Sequence, residues 1–202
     1  MSERSNWIMK SNSGTTLVST ETKLFTDNRE IYLTGEINDE MMVRFLQQVK
    51  VLLLENREAT VKIFLDSSGG EIRAGLAMYE MILALQEKIT VKIYCLSKAC
   101  SMAAILLAAG KKGQRFVGEY SEIMIHEPLI LTGERESKST STMRSITDSL
   151  EKSKKTMDKI LAKHTGKSIE EIAEATSFDH FMTAEEAIEF GLADAIVSPL
   201  EE

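Results

Sequence analysis

Hydrophobic and polar positions change spacing several times along this chain, and each change marks a predicted element. Three short runs after residue 29 have the length and β-branched content of strands, namely EIYLTG, TVKIFLD and TVKIYCLS. The stretch NDEMMVRFLQQVKVLLLEN carries an apolar stripe at helical spacing behind an Asn38 cap, and another helix begins near Ile72. A third helix follows at Ser101. Such repeated strand-turn-helix units favour an α/β fold with largely parallel strand pairing.

The second half of the chain has a different pattern. One stripe of residues recurs at roughly helical spacing within a segment otherwise rich in Lys, Glu, Ser and Asp: Ile146, Leu150, Ser153, Met157, Ile160 and Leu161. This predicts a long helix that buries little surface by itself, so we expect it to pack against a partner such as the same helix of another subunit. In TAEEAIEFG, Thr183 and Glu186 fit a capping box, and Gly191 fits the carboxy-terminal turn of a short helix.

Length and composition bound the organisation of the chain. It has 202 residues, 43% of them apolar, which is enough for one sizeable core. We therefore expect a single domain over residues 1–202. Residues 1–26 are rich in Ser, Thr and Asn and show little periodicity, so they are predicted to form a mobile amino-terminal arm.

Charge and targeting features exclude several classes of function. The formal net charge of -7 argues against an extended nucleic-acid surface, which needs clustered Lys and Arg. The amino terminus has no apolar signal region, and the longest apolar run, Met102 to Ala109, is much shorter than the ~20 residues of a membrane span. Cys95 and Cys100 fit no zinc or disulfide framework. These features predict a soluble protein of the reducing cytoplasm, with no nucleic-acid or membrane partner.

Ser101 and His126 are the residues with the clearest chemical potential. A serine hydroxyl is a weak nucleophile until an imidazole takes its proton, and a third group must orient that imidazole. Asp179, downstream in SFDHFMTAEEA, is a candidate for the third role. At a helix start, Ser101 would lie beside unpaired backbone N–H groups that suit a developing oxyanion. The pair Gly69 and Gly70 can add another backbone donor, because glycine lets the main chain approach a substrate closely.

Each of these residues also has an ordinary structural interpretation. A serine at a helix start is most often only an N-cap, a histidine at a strand end can be merely half-exposed, and Asp179 can cap the next turn. His180 offers a second pairing scheme in which it is the base, and Asp194 is the next acid to consider. His164, ahead of Gly166, fits a structural role at the end of a helix.

Six runs, taken in order across roughly residues 27–197, resemble the proteolytic subunit of the ATP-dependent Clp protease: GEINDE, SSGGEIRAGLAMYE, KACSMAAILLAAGKKGQRF, IMIHEP, LAKHTG and FDHFMTAEEAIEFGLAD. Several motifs matched in register make this resemblance specific. It implies a crotonase-like α/β fold of stacked strand-turn-helix units, with a head over residues 27–130 and 166–197 and a protruding handle helix in the region 131–165. It also implies seven-membered rings of this subunit that stack in pairs and enclose the active sites.

The resemblance further implies roles for single residues and for partners. Ser101 matches the nucleophile, His126 the general base and Asp179 the orienting acid, and the backbones of Gly70 and Met102 match the oxyanion-hole donors. The implied subunit is a serine endopeptidase for unfolded polypeptides and needs no metal or cofactor. ATP would act only through a separate AAA+ unfoldase ring, since the chain has no GxxxxGK[ST] run that could hold phosphates.

Some positions depart from the family pattern. Ser68 stands where a proline is usual, Ala103 stands where a glycine is usual, and LILTGERESKS replaces a glycine-rich stretch that resembles the substrate-binding edge strand. Six positions match the cleft in which the family docks its unfoldase: Lys62, Phe64, Tyr94, Leu96, Phe116 and Gly118. Lys62 replaces an aromatic residue and Gly118 a larger apolar one. This predicts a shallower and more polar docking pocket.

Two other classes of function stay open on the sequence alone. One is a non-catalytic ring subunit that co-assembles with an active paralogue, which the altered substrate strand would suit. The other is an acyl-CoA enzyme of the crotonase type, in which backbone N–H groups hold a thioester oxyanion. The complete set of Ser101, His126 and Asp179 favours a peptidase over both.

Overall fold

The computed structural model describes residues 6–11, 14–55, 58–129 and 139–198. The first elements are an antiparallel pair of strands, β1 (Asn6–Ser11) and β2 (Gly14–Ser19), followed by helix α1 (Thr20–Asn28). The two strands and most of α1 fall within residues 1–26, which the sequence predicts to form a mobile arm with little periodicity. Ser, Thr and Asn residues obscure the strand pattern there, and among the described strands β1 and β2 pair only with each other. The mobility of the arm stays a prediction.

A seven-stranded sheet forms the centre of the described part of the chain. Its strands are, in chain order, β3 (Glu30–Thr34), β4 (Val61–Ser67), β5 (Val91–Cys100), β6 (Arg115–Val117), β7 (Glu122–Ile125), β8 (His180–Met182) and β9 (Ala195–Ile196). Along the main path the order is β3-β4-β5-β6-β9, with every pair parallel. Strand β7 also runs parallel to β5, and β8 pairs with it in the antiparallel sense. The expected α/β fold with largely parallel pairing is confirmed.

Three helices in the first half pack on this sheet: α2 (Asp39–Glu55), α3 (Ile72–Gln86) and α4 (Met102–Ala108). The Asn38 side chain caps α2 by accepting a hydrogen bond of 2.9 Å from the Met41 N–H, as the sequence predicts. The apolar stripe of α2 is buried through Phe45, Val49 and Leu52. Each such side chain contributes about 1.5–3 kcal/mol by leaving water.

Helices α5 (Thr140–Thr165), α6 (Ile169–Ala175) and α7 (Ala184–Phe190) make up the second half. The long helix predicted from the stripe is present, and its side chains are buried at three positions near its carboxy-terminal end, Met157, Asp158 and Leu161. The predicted capping box of α7 is also present, with Gly191 in the left-handed conformation at its end. Most of the segment LILTGERESKS, interpreted above as the substrate strand, lies outside the described residues.

Candidate active site

Ser101 occupies the sharp junction between strand β5 and helix α4. Its backbone angles are φ 56° and ψ −122°, a region that non-glycine residues rarely adopt. The junction is fixed on both sides, because the Ser101 N–H donates to the Met124 carbonyl at 2.7 Å and the Ser101 carbonyl accepts from the Ala104 N–H at 3.0 Å. Backbone strain of this kind costs about 1–3 kcal/mol and is concentrated at functional sites. A strained strand-to-helix turn is also how hydrolases of another fold present a nucleophilic serine.

His126 follows strand β7 and reaches Ser101. Its Nε2 lies 2.8 Å from the Ser101 Oγ, which is a good hydrogen-bond distance for transfer of a proton. The pairing of β7 with β5 explains this contact, since Met124 is the register partner of Cys100 and the two chains continue side by side from there. The His126 side chain is mostly buried, with 14% of its surface exposed.

Asp179 completes the group from the second half of the chain. Its Oδ1 lies 3.3 Å from the His126 Nδ1, the nitrogen on the far side of the ring from Ser101. Strand β8 places it there, because His180 is the antiparallel partner of Ile125 and the preceding residue therefore comes opposite His126. The Asp179 side chain is 61% exposed. The structure thus brings together all three residues that the sequence singled out.

Gly69 and Gly70 bring the main chain close to the Ser101 turn. A Cβ atom at Gly69 would lie 2.7 Å from the Ser101 Cβ and 3.1 Å from the Met102 backbone nitrogen, so only glycine fits at this point. Gly70 is bridged to Ile37, and a Cβ there would lie 2.2 Å from the Ile37 carbonyl oxygen. Met102 is the first residue of α4, where backbone N–H groups have no partner within the helix. Gly70 lines the same cleft as Ser101, and the Met102 N–H follows Ser101 directly in the chain, so their role as oxyanion-hole donors stays a prediction.

Gly75 is a site-supporting residue that the sequence reasoning missed. It lies within α3, and a Cβ atom there would come 2.2 Å from the Met102 Cγ. Because Gly75 has no side chain, the Met102 side chain can pack against α3 at this point. The available signal was a glycine inside an otherwise apolar helical pattern, where it costs helix stability and therefore needs a packing reason.

A cleft of about 690 Å³ opens over Ser101 and His126. It runs along the Gly35 turn and the glycine pair and reaches Pro128 and Leu129 at the other side. Three carboxylate side chains and one lysine lie on its walls: Glu36, Asp66, Glu71 and Lys98. The volume lies within the ordinary range for ligand-binding clefts, and the polar and charged groups converge beside Ser101.

A family model described as Clp protease matches residues 13–199 of the sequence. The chain belongs to the Clp protease family. The match spans the described elements from β2 to β9, so the sheet and the Ser101 region lie within one family unit. Membership of the Clp protease family confirms the recognised resemblance, supports the class of peptidase, and agrees with the mixed α/β fold found here.

The two alternative site residues have other surroundings in this Clp protease family member. The His180 ring packs edge-on against Phe190, with the ring centroids 5.6 Å apart. Asp194 accepts hydrogen bonds from the buried Arg115 guanidinium, at 2.6 Å to its Oδ1 and 2.9 Å to its Oδ2. Burial raises the pKa of Asp194, but Arg115 and the backbone N–H groups of Arg115 and Gly113 outweigh this effect and hold the pKa below its usual range. Asp194 is therefore engaged in a structural ion pair.

His164 has the structural surroundings expected of it. Its Nε2 lies 2.9 Å from the Tyr79 hydroxyl, and the two rings meet edge to face. Burial, followed by the positive charges of Lys163 and Arg115, lowers the pKa of His164 to about 4. A neutral imidazole near the end of α5 thus joins that helix to α3.

The predicted docking residues lie on the face of the sheet opposite the buried Ile63, Leu65 and Ile93. Aromatic rings stack from strand to strand there, with centroid distances of 4.9 Å for Tyr32 and Phe64, 5.0 Å for Phe64 and Tyr94, and 5.0 Å for Tyr94 and Phe116. The sequence reasoning missed Tyr32 at the end of this row. By strand alternation, the other predicted positions share the face: Lys62 with Phe64, Leu96 with Tyr94, and Gly118 with Phe116.

Thiols and acidic groups elsewhere add no second centre in the described ranges. Cys95 and Cys100 are free and buried, and burial raises the pKa of Cys95 to about 11. No group of three or more His, Cys, Asp or Glu side chains suited to a metal ion occurs among the residues that the structure describes. Within the same residues, no helix has both the length and the apolar character needed to cross a membrane.

Proposed function

We propose that this chain is a serine endopeptidase subunit that hydrolyses peptide bonds of unfolded polypeptides. The observation that carries the proposal is the 2.8 Å contact between the Ser101 Oγ and the His126 Nε2, in a ring whose Nδ1 faces Asp179. This arrangement has the three components of an activated serine: a nucleophile, a base within hydrogen-bond reach, and an acid that orients the base.

The reaction follows from this geometry. Neutral His126 accepts the Ser101 proton at Nε2 while the hydroxyl oxygen attacks the peptide carbonyl, and Asp179 accepts a hydrogen bond from Nδ1–H and so selects the correct tautomer. The backbone N–H groups of Gly70 and Met102 bind the oxyanion of the tetrahedral intermediate. His126 then gives its proton to the leaving amine. A water molecule, activated in the same way, releases the acyl group from Ser101.

Assembly and energy coupling are part of the proposal. Subunits form heptameric rings stacked in pairs, alone or with a paralogous subunit, and a AAA+ unfoldase supplies ATP-driven unfolding. The row of Phe64, Tyr94 and Phe116, with Leu96 beside it, forms the unfoldase docking surface, to which Lys62 and Gly118 contribute little apolar area. Two buried free cysteines suit a cytoplasmic compartment.

The test is covalent labelling with a serine-directed fluorophosphonate, read by intact mass and paired with a fluorogenic peptide assay. We expect one adduct on the wild-type chain and none on Ser101→Ala, with peptide hydrolysis lost in the same variant. Ser97→Ala is the matched control, because Ser97 is exposed on the same strand. An assembled wild-type particle that takes up no label would contradict the proposal and favour the non-catalytic subunit. Thioester turnover without peptide turnover would favour an acyl-CoA enzyme.

A further inference from the structure

A second, much smaller pocket lies beside the cleft and shares Ser101 and His126 with it. Its volume is about 30 Å³, enough for about two water-sized groups, so it can receive the tip of a side chain whose stem lies in the cleft. Ile105 and Ile125 contribute apolar walls, and the wall opposite Ser101 comes from α5 and from Thr176. A peptide lying in the cleft with its carbonyl at Ser101 has this pocket as the nearest space for a neighbouring side chain.

Asp158 gives the apolar pocket one charged wall. The residue is only 5% exposed and lies between Met157 and Leu161, which also line the pocket. A carboxylate is almost never buried to this degree without close partners, because removal from water is costly. Its presence beside Ser101 therefore needs either a strong internal partner or a partner that arrives with the substrate.

The internal partners of Asp158 are incomplete. The Lys154 ammonium lies 3.8 Å from its Oδ2, beyond hydrogen-bond distance, and is nearer to Glu127 Oε2 and Thr176 Oγ1, each at 3.4 Å. The Thr176 hydroxyl has a single proton, for which the Ile172 carbonyl at 2.9 Å competes. An ionised carboxylate offers about four acceptor positions, so Asp158 keeps acceptor capacity towards the pocket.

We propose that Asp158 makes the pocket beside Ser101 select a substrate side chain that carries a hydrogen-bond donor over a hydrocarbon side chain of the same size. This inference rests on the peptidase function proposed above. A donor group pairs with the carboxylate, whereas a hydrocarbon group covers it and leaves it unpaired. Sites built to pair a polar group reject analogues that lack it far more strongly than apolar sites reject one extra methylene.

The test compares fluorogenic peptides that differ only in the residue before the scissile bond, as two shape-matched pairs, Thr against Val and Asn against Leu. We expect wild-type kcat/KM to favour the donor member of each pair by roughly tenfold or more. Asp158→Asn keeps the shape but removes the charge, so the ratio falls several-fold. Asp158→Leu reverses it. Asp148→Asn is the control, because it removes the same charge from an exposed position on the same helix and should leave the ratio unchanged.

The pH dependence of the ratio gives an independent readout. Burial raises the pKa of the Asp158 carboxyl, against the opposing effects of Lys154 and the Thr176 hydroxyl, and Glu127 adds a small rise. As pH falls through that raised pKa, the protonated carboxyl loses acceptor capacity and the donor preference should decline. His126, which also faces the pocket, acts on both members of a pair and cancels in the ratio. Asp158→Asn should lack this pH dependence.

Two outcomes would overturn the inference, and they differ in what else they affect. Active wild-type enzyme with a ratio near one, or a ratio that both Asp158 variants leave unchanged, refutes the role of Asp158 while the peptidase function stands. Absence of both peptide hydrolysis and the fluorophosphonate adduct in the wild type refutes the peptidase function, and the inference falls with it. Because Asp158→Asn preserves volume, it tests the idea even where Asp158→Leu fails to fold.

Discussion

The two sides of the site are supported in opposite ways. On the Ser101 side, every residue of α4 is buried, and β5 lies inside the sheet. On the other side, α5 has 26 residues but buries side chains only at Met157, Asp158 and Leu161, and the Asp179 side chain is 61% exposed. Ser101 is therefore positioned by the core of the fold. Asp179 and one pocket wall depend on a few contacts of the second half.

This difference matters for the proposed assembly of peptidase subunits. A side chain packed in the core keeps its geometry in any oligomeric state, because close-packed interiors resist displacement. The exposed length of α5 has no such support among the residues that the structure describes, and it buries too little to be stable alone. Contacts from a neighbouring subunit would thus change the acid and the pocket wall more than they change Ser101.

The largest expected effect on the exposed side comes from Asp179→Asn. An amide in place of the carboxylate favours the wrong imidazole tautomer, and we expect kcat for a short peptide to fall by roughly 10²- to 10⁴-fold. His180→Gln is the comparison variant and should stay within a few-fold of wild type. If activity survived in Asp179→Asn, another group would have to orient His126, and the exposed side would matter less than argued here.

Substitutions in the two parts of α5 should differ in how much they lower the free energy of unfolding. Leu161→Ala removes a buried side chain and should lower the free energy of unfolding by about 2–5 kcal/mol. Leu150→Ala makes the same change on the same helix at a half-exposed position, and we expect a loss of less than about 1 kcal/mol in the dissociated subunit. Urea unfolding of both variants measures the difference. Equal losses would mean that the two ends of α5 are equally well packed.

How much could be predicted from the sequence depended on whether a feature follows from a local pattern or from distant packing. Strands β3, β4 and β5 were predictable because their apolar runs are short and bounded by turn residues, and Ser101 stood at the end of the third. The capping box of α7 and the presence of a long helix at α5 followed from local pattern. These features each leave a signal among residues that are close in the sequence.

Other features depend on distant packing, which leaves little local signal. Gly75 is explained only by the Met102 side chain on another helix, and Tyr32 joins the aromatic row through strand register. In the sequence, Asp158 is one of many polar residues of a charged helix. Its position beside Ser101 follows only from the packing of α5 in the fold. The strands β1 and β2 were missed because their apolar residues stand in short groups among Ser, Thr and Asn and do not alternate with polar ones.

On the core side, the backbone strain at Ser101 should have a smaller effect on stability. Ser101→Gly and Ser101→Ala both remove the hydroxyl, so both should be inactive. Glycine adopts φ 56° without steric cost whereas alanine does not, so we expect the glycine variant to be more stable by about 1 kcal/mol. Glycine is normally the less stable of the two. Thermal unfolding that ranked alanine above glycine would show that the junction stores no strain.

The smallest expected effect concerns His164, which joins the end of α5 to Tyr79. Its pKa lies at about 4 in the folded chain against an ordinary value of 6.5, so the unfolded chain binds the extra proton first as pH falls. The contribution of this group to stability is therefore complete above about pH 6.5 and is lost progressively down to about pH 4. His164→Gln cannot titrate, and its urea midpoint should lack that part of the decline. A parallel decline in both proteins across this range would assign the acid sensitivity to other groups and leave the α5 anchor independent of pH.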